Sequence, residues 1–252
     1  MSDTFTERIK KSANLHKSKL VLALDLSYTD KKDLLKLAKN SLNMLGDYIC
    51  AVKINFHLLL PLDLYSEVKT VTDLAHSLGL QTIADIKLND ISNTNEVALS
   101  HLWSVGFDAL TINPFIGFDA LKDAILYAHK NNNGVIALVY MSHKGASDTY
   151  GLNVIDPKSN RTVQMYEMFL DWIEELNADG IVVGATLPEI IKRCSARVKG
   201  KVPIFSPGVG TQGGDAKQAL ANGSDYLIVG RSIIEAKDPK AQASQIRQLT
   251  WG

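Results

Sequence analysis

Short, β-rich apolar runs return eight times along this chain, at 20–26, 48–54, 81–86, 108–112, 135–140, 180–183, 202–206 and 226–229. Between them lie segments of helical period, such as Leu34, Leu35, Leu37, Ala38, Leu42 and Leu45, or Leu64, Val68, Val71, Leu74, Ala75 and Leu78. An uninterrupted apolar strand is buried on both faces, and strand alternating with helix implies right-handed parallel crossovers. Two architectures satisfy this, a closed barrel and a doubly wound open sheet. Eight repeats favour the (β/α)8 TIM barrel, an α/β fold with parallel strands. A chain of 252 residues, 46% of them hydrophobic, fills one such barrel, so a single domain over 1–252 is expected. Residues 1–19 form an extension ahead of the first strand, expected as a short surface helix.

Charge excludes some functions. Lys+Arg and Asp+Glu both number 27, so no net field draws the molecule to nucleic acid or to an anionic membrane. An anion site must be local. The basic start (Arg8, Lys10, Lys11, Lys17, Lys19) is broken by Asp3 and Glu7, and no apolar core of a signal follows it. No stretch has the run of apolar residues that a membrane span needs. Cys50 and Cys194 have neither a C-x-x-C nor a metal-ligand spacing, which points to reduced structural thiols and a cytoplasmic protein.

Punctuation orients the barrel. Gly79, Gly106, Gly134, Gly200 and Gly223 each precede a strand, where helix C-caps are expected. The unusual polar clusters lie in the opposite, strand-to-helix loops: 142–145, 206–215 and 230–231. In a barrel of this type that C-terminal face carries the active site. The long, polar connection 143–160 is expected to be a lid or mobile loop.

Charges appear where apolar strands end. In Ala84-Asp85-Ile86-Lys87-Leu88-Asn89-Asp90, an extended backbone would point Asp85 and Lys87 to one side, with Asp90 adding a third charge. Asp25 and Lys53 end two neighbouring runs in the same way. Each alone could be a rim salt bridge, but alternating charges from adjacent strands around one mouth point to catalysis. Near the C-terminus, Ser206-Pro207-Gly208-Val209-Gly210-Thr211-Gln212-Gly213-Gly214 follows the seventh run and Gly230-Arg231 the eighth. Glycines let backbone N–H groups approach an anion, a helix N-terminus adds partial positive charge, and Arg231 can grip bidentately. This is where such barrels bind phosphate, so a small phosphorylated substrate is expected. His57, His76, His101 and His129 fall in helical patterns without a second ligand at metal spacing, and are expected to be structural. His143 could approach a substrate, though Ser142 is better placed.

Taken together, Asp85-x-Lys87-x-x-Asp90-Ile91-x-x-Thr94, Ser142-His143, the 206–214 loop and Gly230-Arg231 resemble orotidine 5′-phosphate decarboxylase. Asp-x-Lys-x-x-Asp is shared with other phosphate-binding barrels, including 3-keto-L-gulonate 6-phosphate decarboxylase and hexulose-6-phosphate synthase; the Ile91-x-x-Thr94 extension and the Gln212 loop narrow the choice. The resemblance implies that Lys87, Asp85, Asp90 and Lys53 are catalytic. It implies substrate contacts from Asp25, Lys53, Ile91, Thr94, Ser142, Pro207, Gln212, Gly230 and Arg231, with Ser142 at the pyrimidine and Gln212, Gly230 and Arg231 at the 5′-phosphate. It also implies a homodimer in which Asp90, Ile91 and Thr94 reach the neighbouring site, and no cofactor or metal. Ser92 and Lys144 stand where that family often has proline. A Mg²⁺-dependent sugar-phosphate lyase and a silent nucleotide-binding barrel are the rival readings.

Overall fold

The computed structural model describes residues 3–26 and 30–251. Eight parallel strands close into a barrel: β1 (Leu20–Ala23), β2 (Ala51–Asn55), β3 (Gln81–Leu88), β4 (Ala109–Ile112), β5 (Gly134–Tyr140), β8 (Gly180–Val183), β9 (Ile204–Pro207) and β10 (Tyr226–Val229). They are hydrogen-bonded in that order, and β10 pairs with β1. The principal outer helices are α2 (Lys31–Leu45), α4 (Lys69–Ser77), α5 (Ser92–Ser104), α6 (Phe118–Lys130), α7 (Met165–Leu176), α8 (Pro188–Val198) and α11 (Pro239–Trp251). Shorter ones are α3 (Phe56–Leu59), α9 (Ala216–Ala221) and α10 (Arg231–Ile234).

The period of two along each strand divides the apolar residues into two cores. Leu20, Leu22, Val52, Ala84, Leu110, Val135 and Leu227 face outward, where the helices cover them. Val21, Ala23, Ala51, Ile83, Ala109, Ile136, Leu138, Val182, Phe205, Tyr226 and Ile228 fill the lumen. Helix α2 shows the complementary pattern, with Leu34, Ala38, Leu42 and Leu45 buried at 3.6-residue spacing.

The structure corrects the sequence reading in four places. Residues 5–16 form a helix, α1 (Phe5–His16), but it is not a surface helix: Phe5, Ile9 and Ala13 are buried in the lumen core and plug the N-terminal end of the barrel. Arg8 latches it there, donating to Gln81 Oε1 at 3.0 Å, Asp108 Oδ1 at 3.0 Å and the Asn132 carbonyl at 2.8 Å. Of the extension expected at 1–19, residues 1 and 2 lie outside the described part. Second, Gly134 is not a helix cap. A Cβ there would meet Phe5 Cδ1 at 2.3 Å, so its role is to admit the plug, whereas Gly79, Gly106, Gly200 and Gly223 adopt the positive φ of a cap. Third, 143–160, expected as a lid or mobile loop, carries secondary structure of its own. A 3₁₀ turn at Lys144–Asp148 leads into a hairpin of β6 (Asn153–Ile155) with β7 (Thr162–Gln164). Buried Tyr150 packs with Tyr140 and Phe169 to anchor it. Fourth, strand ends shift by a few residues. The first strand stops at Ala23, leaving Asp25 beyond it, while the third runs on past Ile86 to Leu88 and takes in Lys87 as well as Asp85.

Two of the expected structural histidines staple the base. His76 Nε2 lies 2.9 Å from Asp108 Oδ2, and His129 Nε2 lies 3.0 Å from Asp179 Oδ2. These hydrogen bonds, opposed by burial, raise both imidazole pKa values above the ordinary 6.5. A group whose folded pKa exceeds its unfolded one contributes stability that is complete below the unfolded value and lost as pH rises through the folded one. The thermal midpoint should therefore fall as pH is raised above 6.5. Melts of H76N/H129N across the same range should show a smaller decline.

Candidate active site

The inward-facing parity that fills the lumen with apolar side chains continues upward into charge. One step past Ala51 the lumen position of β2 is Lys53, and one step past Ile83 that of β3 is Asp85. Past Ala109, β4 presents Thr111, and past Ala23 the chain presents Asp25. Neighbouring strands therefore place these groups side by side. Lys53 Nζ donates to Asp85 Oδ2 at 2.6 Å and lies 3.6 Å from Asp25 Oδ1. Lys87 Nζ donates to Asp85 Oδ1 at 2.8 Å. The result is an alternating row, Asp25, Lys53, Asp85, Lys87.

Asp85 is 8% exposed and accepts a third hydrogen bond, from Thr111 Oγ1 at 2.9 Å. Burial alone would push its carboxyl up. The two ammonium groups and their hydrogen bonds outweigh burial and hold it well below the usual carboxylate range. Lys53 is buried with Asp85, but the Lys87 side chain is 39% exposed and opens to the cavity above. Of the two amines, Lys87 is the more exposed to the cavity.

Asp85 and Lys87 meet for a different reason from the extended geometry expected. The β3–β4 register passes from Ala84↔Leu110 to Leu88↔Ile112, so three residues of β3 stand opposite Thr111 alone. Lys87 absorbs the surplus with φ +48°, a conformation disfavoured for a side chain with a Cβ. Its N–H, displaced from the ladder, donates to Thr111 Oγ1 at 3.0 Å.

A cavity of about 360 Å³ opens above the row. It is lined by Asp25, Lys53, Asp85 and Lys87 on one side and by Ser142, Pro207, Gln212, Gly230 and Arg231 on the other. Ser142 Oγ donates to Gln212 Oε1 at 2.6 Å, joining the loops after β5 and β9. Gly208, with φ +94°, permits this bridge, because a Cβ there would lie 2.9 Å from Gln212 Oε1. Gly230 passes Ala23 so closely that a Cβ would be 2.9 Å from its carbonyl oxygen. Helix α10, which follows, is a single turn, too short for an appreciable macrodipole, and Arg231 at its start lines the cavity.

Nine sequence-selected residues thus share one cavity, and three do not. Asp90, Ile91 and Thr94 are exposed at the start of α5 and do not line it. Ile91 N–H donates to Asp90 Oδ1 at 2.7 Å, and buried Asn95 holds the Asp90 carbonyl at 2.6 Å. Ser92 occupies the first position of that helix, where proline is also well tolerated. Sequence reasoning missed Thr111 and Asn55. Asn55 Nδ2 donates to Asp25 Oδ1 at 2.7 Å and lines the cavity. Both are polar residues two positions beyond an inward apolar or charged one, so strand parity could have found them. Among the described residues no group of three or more His, Cys, Asp or Glu is placed to hold a metal ion.

Comparison with known proteins adds to this geometry. Residues 18–246 match the family model described as Orotidine 5'-phosphate decarboxylase / HUMPS family. The chain belongs to this family. The orotidine 5′-phosphate decarboxylase of Pyrococcus abyssi is 34% identical over 227 residues, covering 90% of this chain and 96% of that protein. The crystal structure of the Pyrococcus horikoshii decarboxylase superposes with a TM-score of 0.72 at 33% identity, covering 92% of this chain and 99% of the other. That of the Methanocaldococcus jannaschii decarboxylase complexed with inhibitor BMP does so with 0.75 at 28% identity, covering 92% and 98%. The orotidine 5′-phosphate decarboxylase / HUMPS match spans every barrel strand and begins after α1, so the assignment rests on the whole barrel and not on Asp-x-Lys-x-x-Asp alone.

Removing one member of a buried charge pair leaves the other uncompensated. Lys53→Met should lower stability at neutral pH by about 3 kcal/mol, read by urea denaturation. It should also raise the Asp85 carboxyl toward the ordinary range, read by carboxyl-carbon NMR titration.

Proposed function

We propose that this chain, acting as a single barrel domain, decarboxylates orotidine 5′-phosphate to UMP and CO₂ in pyrimidine biosynthesis, without a cofactor. The observation that carries the proposal is the row Asp25, Lys53, Asp85, Lys87 facing Gln212 and Arg231 across one cavity. Gln212, Gly230 and Arg231 bind the 5′-phosphate. Ser142 meets the pyrimidine, Pro207 lines the same wall, and Asp25 and Lys53 hold the ribose. This places carbon 6 of the base over Lys87. Family membership and the named relatives support the same reading.

The chemistry follows from charge. Breaking the bond from carbon 6 to the carboxylate leaves an electron pair on carbon 6, with no adjacent carbonyl to accept it. A fixed ammonium stabilises that developing charge better than water can, because it is already oriented. Lys87 then transfers its proton to carbon 6, forming UMP, and its neutral amine recovers a proton from solvent. Asp85 lies beside the departing carboxylate and aims the Lys87 ammonium through one oxygen, while Lys53 holds the other. The phosphate sits far from the reacting bond, so its binding energy acts by orienting the base.

A homodimer completes the proposed site. Asp90, Ile91 and Thr94 are exposed and do not line their own cavity, and their reach would be to the neighbour's. Ile91 is 69% exposed, Val97 on α5 51% and Leu126 on α6 56%, apolar surface that a partner would cover. No helix among the described residues is long and apolar enough to cross a membrane. The two buried, free thiols of Cys50 and Cys194 suit a cytoplasmic setting.

Metal-free purified protein should deplete the ultraviolet absorbance of orotidine 5′-phosphate. A folded dimer without this activity, or one needing Mg²⁺ and a keto-sugar phosphate, would overturn the proposal. In the same assay Lys87→Ala should leave no turnover above background. Arg231→Ala should lower kcat/KM by about 100-fold, with part of the loss in kcat.

A further inference from the structure

One hydroxyl on β4 serves two members of the charged row. Thr111 is 2% exposed, and its Oγ1 accepts from the displaced Lys87 N–H at 3.0 Å while donating to Asp85 Oδ1 at 2.9 Å. Asp85 Oδ1 is the same oxygen that Lys87 Nζ reaches at 2.8 Å. The direction of both bonds is forced. An ionised carboxylate only accepts, so the single hydroxyl proton must point to Asp85, and a lone pair is left for the amide. Thr111 therefore ties the backbone of the lysine and the carboxylate that aims its ammonium into one closed loop of hydrogen bonds.

That loop sits where the strand is irregular. Asp85, Ile86 and Lys87 stand opposite Thr111 alone, and Lys87 is held at φ +48°. A left-handed lysine relaxes toward ordinary strand geometry unless its surroundings over-determine it. Relaxation would swing Nζ, at the far end of the side chain, away from any atom above the cavity floor. Thr111 braces the bend at the Lys87 N–H, and the ladder resumes at Leu88, where Asn113 N–H donates to its carbonyl at 2.9 Å.

We propose that Thr111 is a positioning residue for decarboxylation, holding Lys87 in its left-handed bend and Asp85 in the orientation that directs the Lys87 ammonium at the reacting carbon. The proposal rests on the function given above. It assigns Thr111 no contact with substrate. It also separates the residue from a merely structural filler of the bulge, because a positioning role acts on turnover more than on affinity or folding.

Thr111→Val keeps the shape and removes both hydrogen bonds. With orotidine 5′-phosphate it should lower kcat by about 10- to 100-fold while KM stays within about threefold of wild type. Thr111→Ser, which retains the hydroxyl, should recover kcat to within about threefold. Should Thr111→Val not fold, Thr111→Ala carries the same expectation. An unimpaired kcat in the valine variant, or equal losses in the valine and serine variants, overturns the proposal. Amide hydrogen exchange at Lys87 reads the brace without turnover: it should be faster in Thr111→Val and restored in Thr111→Ser, and unchanged exchange overturns the brace. Wild-type protein that leaves orotidine 5′-phosphate untouched overturns the functional reading instead, whatever the exchange shows.

Discussion

A carboxylate buried near the top of the barrel, Asp85, organises the rest of this structure. Isolated at that depth it would protonate, and its neighbours would lose their reason to be there. Lys53 and Lys87 each bring a full charge to a different oxygen, and Thr111 supplies a third donor. The balance is strongly in favour of the ionised form. That outcome requires donors from three adjacent strands at one height, which a closed parallel barrel supplies by its register.

The remainder of the fold keeps that height constant. Below the row, the lumen is packed with apolar side chains and sealed by Phe5, Ile9 and Ala13 of α1, so water reaches the charges from one side only. The glycine at 134 exists to let Phe5 in, and Arg8 ties the plug to the strand bases through Gln81 and Asp108. Stability and chemistry are thereby separated along the barrel axis. The helix-to-strand end carries the ion pairs that hold elements together, and the strand-to-helix end carries charges turned toward a cavity.

The cavity itself joins two kinds of group. Three members of the charged row, Lys53, Asp85 and Lys87, belong to strands, whereas the opposite side is built from loops whose glycines allow backbones to pass close to side chains. The Ser142 to Gln212 bridge connects loops after β5 and β9, so the wall nearest the pyrimidine in the proposed pose is mechanically linked to the wall nearest the phosphate. In the proposed reaction the strand-borne groups act on the breaking bond and the loops capture the substrate.

Much of this was legible in the order of residues. Eight apolar runs alternating with amphipathic helices determined the barrel, since parallel strands buried on both faces leave few other closed solutions. The charges ending those runs, with the glycine loops after the last two, located the row and the loops that line the same cavity, because parity along a strand is a local property. What the linear order could not express was pairing across strands. The bulge that brings Lys87 back to Asp85 exists only in the β3–β4 register, and Thr111 matters only because that register sets it opposite three residues. The same holds for α1. Read from the sequence as a surface helix, it buries Phe5, Ile9 and Ala13 because only the closed barrel offers a lumen end to cover them. Local periodicity thus determined which residues could face inward, and barrel closure decided which of them would touch.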